Sequence, residues 1–138
     1  MDITSLCSGA LPSGDELAAV AEFVRATNAG ELAALAALFA DDAQVNDQLR
    51  NFWGRAEIAS WLEREIVGEQ VQLNPLGVRK HYGVVMLNAQ IRGDFETPRV
   101  PQPMVFDLYF TVHGTKIVRL LVLLARADAP EAEIRRAS

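Results

Sequence analysis

FADDAQVNDQLRNFWGR, residues 39–55, is the stretch on which the reading of the fold turns. Asp41 and Asp42 after the bulky Phe39 have the character of a turn, because Asp bonds readily to its own backbone. Gln44, Val45, Asn46 and Asp47 then alternate like a short strand. Side chains on a strand alternate between faces, so Val45 and Asp47 point the same way and a carboxylate shares a face with an apolar residue. That face is either solvated or the wall of a pocket.

Upstream, Ser13 stands three residues before Glu16 in a capping-box spacing, and Leu17, Val20, Phe23 and Val24 follow at helical period. The spacing predicts a helix over about 15–27, broken by the sequence NAG at 28–30. A shorter helix carries Leu32, Leu35, Ala36 and Phe39 on one face. A third helix starts near Gly54 and Arg55, with Ile58, Trp61, Leu62 and Ile66 as its apolar stripe and Gly68 as its stop. From residue 69 the period changes. VQL (71–73), GVVMLNAQI (83–91), MVFDLYFTV (104–112) and KIVRLLVLLA (116–125) are strand-like, separated by turn signals at KHYG, TPRVPQP and HGT. Helices followed by a run of antiparallel strands mean an α+β fold. A curved sheet wrapped around the first helix forms a cone, and a cone has an inside able to hold an apolar pocket.

The 138 residues, half of them apolar, suit one domain. Residues 1–14 read as an N-terminal extension, 15–126 as the domain and 127–138 as a polar tail. A net charge of −5 with scattered Lys and Arg gives no footprint for nucleic acid. The longest apolar runs fall short of a membrane span. The single cysteine, Cys7, forms no intrachain disulfide, and Asp2 stands where a signal peptide is positively charged, so the expected address is the cytoplasm. His81 and His113 occupy turns without a second ligand at metal spacing, and no glycine-rich loop follows a strand to cradle phosphate. Neither metal nor cofactor is expected.

The helical region AGELAALAALFADDAQVND, the start GRAEIASWLER and the strands of FDLYFTVHGTKIVRL together resemble the nuclear transport factor 2-like superfamily, in its SnoaL-like or ketosteroid-isomerase-like branch. The resemblance covers about residues 15–125. It implies the cone fold, a cystatin-like roll, and it spans isomerases, cyclases, dehydratases, binding modules and assembly domains. Against ketosteroid isomerase, Asp47 falls on the general base. Asp107 falls on a protonated acid that donates to the oxyanion. The tyrosine completing that oxyanion hole matches Phe23, which has no hydroxyl, and a supporting tyrosine matches Leu62. Losing one oxyanion donor typically costs about 3–4 kcal/mol of transition-state stabilisation. Arg92 and Asp94 resemble part of the acid-arginine set of limonene epoxide hydrolase, whose second acid falls on Val122, so epoxide hydrolysis is disfavoured.

The pocket implied by this resemblance has Asp47 as base and Asp107 as acid or donor. Phe23, Phe39, Val45 and Trp53 are its expected walls from the first half, with Leu87, Ala89, Val105 and Tyr109 from the strands. Trp61 reads as core, Trp53 as the better ligand contact. Three functions stay open: proton transfer on a small apolar carbonyl substrate, binding of a similar ligand without turnover, or an assembly domain. MVFDLYF and IVRLLVLLA are apolar on both faces, which predicts a homodimer through the exposed face of the sheet.

Overall fold

The computed structural model of the protein describes residues 14–94 and 104–127. Cys7, Ser13 of the capping box, the TPRVPQP turn and the tail from residue 128 lie outside them. Helix α1 (Gly14–Ala29) presents Val20, Phe23, Val24 and Thr27 inward at i, i+3, i+4 and i+7. Gly30, at φ 69°, ends it. A short α2 (Leu32–Ala37) follows. Phe39 opens strand β1 (Phe39–Asp47) and does not continue the helix.

A hairpin joins β1 to β2 (Arg50–Trp53), a strand that the sequence pattern does not announce. Its two turn residues, Gln48 (φ 53°) and Leu49 (φ 72°), both lie in the left-handed region that a type I′ turn demands. Asn-Gly is the usual signature, and Gln-Leu conceals it. Helix α3 (Gly54–Trp61) then passes into a π-helical segment, Leu62–Val67. Gly68 closes it for a steric reason: a Cβ there would stand 2.7 Å from the carbonyl oxygens of Glu63 and Arg64.

Strands β3 (Gln72–His81), β4 (Val84–Arg92), β5 (Met104–His113) and β6 (Lys116–Ala127) complete a six-stranded sheet in the order β2-β1-β6-β5-β4-β3. Its pairs are antiparallel except β1 with β6, which are parallel. The antiparallel expectation is corrected there, because β6 returns beside β1 only after α3 and four intervening strands, a connection long enough for parallel pairing. β3 outruns the expected VQL by passing through Pro75 and Gly77. Proline is tolerated because β3 is an edge strand, and the register shifts between those two residues. Further shifts occur between Val105 and Phe106 and between Thr111 and Val112. Each irregularity bends and twists the sheet, curling it over α1. Phe23 packs edge-on against Phe39 and Phe110, with ring centroids 6.4 and 5.2 Å away.

Candidate functional site in the cone

Asp47 ends β1 on the concave side, its side chain 14% exposed. The hairpin fixes it. Gln48 donates its backbone N–H and its Nε2 to the carbonyl of Val122 on β6, and its Oε1 accepts from the N–H of Leu124. Leu49 N–H donates to Asn46 Oδ1. These bonds offset the strain of two non-glycine residues at positive φ, of order 1 kcal/mol or more each.

Two donors converge on one oxygen of Asp47. Trp61 Nε1 and Arg50 Nη2 each stand 2.9 Å from Oδ2. Arg50 also forks onto Glu65 of the π-helical segment, at 2.6 and 2.9 Å, and its guanidinium lies 5.5 Å from the ring centre of Phe52. The bonds to Glu65, then the charge of Asp47, push the Arg50 pKa up and keep it cationic. Oδ1 of Asp47 has no hydrogen-bond partner among the described residues.

Beside this cluster runs a cavity of about 210 Å³. It crosses the curved sheet from Asp47 on β1, past Val122, Phe106 and Leu108, to Ile91 and Leu73. Phe23 and Thr27 border it from α1, Trp61 and Ile66 from the third helical stretch. Burial is graded: Gln48 and Arg50 are exposed, whereas Phe23, Thr27 and Leu108 are each 2% exposed.

Of the expected walls, Phe23 and Asp47 border this cavity. Phe39, Val45, Leu87 and Ala89 are wholly buried in the core around it, and Val105 is 3% exposed; none of them lines it. Trp53 is 58% exposed and does not border this cavity. Trp61, read as core, is both core and the donor to Asp47. Asp107 is also corrected. It lies on the convex face, where its Oδ1 accepts a bond from Asn88 Nδ2 at 2.8 Å. Leu108 and Phe110 take the inward positions of β5, since burying those larger apolar groups against α1 outweighs enclosing a carboxyl. Tyr109, on the same outer face, borders a convex groove with Met86, Arg79 and Arg119. Arg92 is exposed, and Asp94 accepts from Gln70 Nε2 at 2.8 Å.

Thr27 and the Trp61–Asp47 bond went unread. A helical threonine at an inward position looks like any core residue, and the indole bond joins groups that only the β1–α3 packing brings together. Among the described residues no three His, Cys, Asp or Glu side chains gather as metal ligands, and no helix is long and apolar enough to cross a membrane.

Among solved structures, one assigned as a polyketide cyclase from Sinorhizobium meliloti superimposes with a TM-score of 0.69 at 23% identity, covering 82% of this chain and 95% of the other. A protein of Catenulispora acidiphila with a ketosteroid isomerase-like fold, in complex with trimethylamine, gives 0.67 at 19% identity over 83% and 95%. A computationally designed 17-OHP binder gives 0.66 at 13% identity over 80% and 91%. At such identities the likeness is one of fold. No curated protein matches the sequence. The family model of the SnoaL-like domain matches residues 20–120, and the chain therefore belongs to the SnoaL-like family.

Proposed function

We propose that the cavity binds a small, mainly apolar molecule and that Asp47 takes a proton from it, as an isomerase, cyclase or dehydratase acting on a carbonyl compound requires. One observation carries this reading. Asp47 is anchored through Oδ2 alone, while Oδ1 has no partner among the described residues, in a residue that borders an otherwise largely apolar cavity. A carboxylate held at one oxygen keeps its geometry and offers lone pairs on the other. Removing a proton from carbon moves negative charge from Asp47 to the ligand. Arg50, bonded to Asp47 and Glu65, keeps a cation beside both positions of that charge. The volume lies below the roughly 300–1,000 Å³ of pockets for drug-sized ligands, which favours a substrate of one or two rings.

Asp47→Asn tests this. It preserves shape while removing the basic lone pair, so deuterium exchange at the acidic carbon of a small cyclic ketone such as 2-tetralone should fall about 100- to 10,000-fold. Parent and variant exchanging equally would reject Asp47 as base. A second reading, binding without turnover, is favoured by the placement of Asp107 on the convex face and by Phe23. Together they leave the cavity without the second acid and the phenol that the isomerase resemblance implied. We also propose that two copies pair through the convex face and cover Met86, Tyr109 and Leu121.

A further inference from the structure

Thr27 is 2% exposed, borders the cavity, and its Oγ1 has no hydrogen-bond partner among the described residues. A helical threonine ordinarily satisfies its hydroxyl on the carbonyl one turn back. Here the hydroxyl is buried unsatisfied, a costly state that native structures rarely keep without a use. The surrounding backbone is firmly set. Asn28, next in sequence, bonds through its side-chain amide to both the N–H and the carbonyl of Leu73, at 2.7 and 3.0 Å, which fastens the end of α1 to β3.

Position in the fold gives this hydroxyl its meaning. Asp47 is on β1, whereas Thr27 adjoins the β3 side, and β6, β5 and β4 lie between those strands in the sheet order. Thr27 also follows Phe23 by four residues, on the same face of α1 and about 6 Å further along its axis. The hydroxyl that Phe23 lacks is thus present one turn onward. Leu73, to which the end of α1 is bonded through Asn28, borders the same cavity.

We propose that Thr27 is a specificity-determining residue whose hydroxyl hydrogen-bonds an oxygen at the end of the ligand remote from Asp47. The ligand class is a small one- or two-ring ketone carrying a second oxygen across the ring system. This rests on the proposed binding of a small apolar molecule in the cavity, and it sharpens that reading by requiring polar atoms at both poles. The hydroxyl accepts from a ligand hydroxyl or donates to a ligand carbonyl, so either oxygen function satisfies it.

The test uses 2-tetralones bearing a hydroxyl or a methyl at position 5, 6 or 7, titrated against the full chain, Thr27→Val and Thr27→Ser. The parent should bind at least one hydroxyl isomer about five- to tenfold more tightly than its methyl counterpart. Thr27→Val, isosteric but without the hydroxyl, should bring that ratio close to one, and Thr27→Ser should retain it. The ligand-free Thr27→Val protein should also melt at least about 2 °C higher, because an unpaired buried hydroxyl is replaced by methyl. A preference retained in Thr27→Val, no preference in the parent, or a lower melting temperature for Thr27→Val would overturn the proposal. Asp47→Asn is scored separately, on deuterium exchange alone. Unchanged exchange beside a Thr27-dependent preference would reject the base and uphold Thr27.

Discussion

Asp47 is held by two donors of unequal worth. Trp61 is 1% exposed, so losing its N–H leaves the buried side of Oδ2 unsatisfied, and a hydrogen bond to a charged group contributes about 1.5–3 kcal/mol. The Arg50 side chain is 52% exposed; its ion pair is screened by water and is expected to contribute less than about 1 kcal/mol. Urea denaturation should therefore find Trp61→Phe destabilised by about 2 kcal/mol or more and Arg50→Gln by less than half as much. The reverse order would show that the guanidinium, rather than the indole, holds the carboxylate. Leu49 offers a second check at this scale. It is 82% exposed at φ 72°, so Leu49→Gly relieves strain without loss of packing and should raise stability by up to about 1 kcal/mol. The place of Asp47 at the cavity was legible because an acid interrupts an apolar alternation. Its Trp61 partner was not, since fourteen residues of chain separate the two and only folding joins them.

At the scale of elements, the helices could be read from their 3.6-residue period, but the face of β5 could not. MVFDLYF is apolar on both sides of Asp107, and the register shift between Val105 and Phe106 resets the parity that a sequence count relies on. The β2 hairpin was hidden by turn chemistry, as Gln48 and Leu49 show. The π-helical segment places Glu65 and Ile66 on the site, and it depends on Gly68. Gly68→Ala should shift that segment and destabilise the fold by about 1–3 kcal/mol, with weaker ligand binding as the accompanying readout. Where α1 meets α2, Arg25 bonds Glu22 and Glu31. Those hydrogen bonds, and then the charge of Arg25, hold the carboxyl pKa of Glu31 below its ordinary value; Glu22 shifts the same way, with its bond to Arg25 the leading cause. The sign follows: depressed carboxyl pKa values contribute stability at neutral pH that is lost as pH falls through the carboxylate range. Melting temperature should drop between pH 5 and 3, and Arg25→Gln should make that drop shallower, more visibly at low salt.

The whole molecule presents two faces with different requirements. Its concave side is filled by Phe23, Phe39, Phe110 and Leu120 except where the cavity remains. Its convex side leaves Met86, Tyr109 and Leu121 around a groove rimmed by Arg79, Lys80 and Arg119. Sedimentation at micromolar concentration should give a dimer, and Tyr109→Glu should shift it toward monomer; a parent protein sedimenting as a 15 kDa monomer would contradict the proposed pairing. The proposed proton abstraction by Asp47 belongs to the concave side, and a crystal of the protein soaked with 2-tetralone would reveal whether a ligand reaches it there. Density is expected in the cavity between Asp47 and Thr27, with the acidic carbon within about 3.5 Å of Asp47 Oδ1, the approach distance proton transfer needs. Ligand in the convex groove, or in the cavity with Oδ1 untouched, would contradict it.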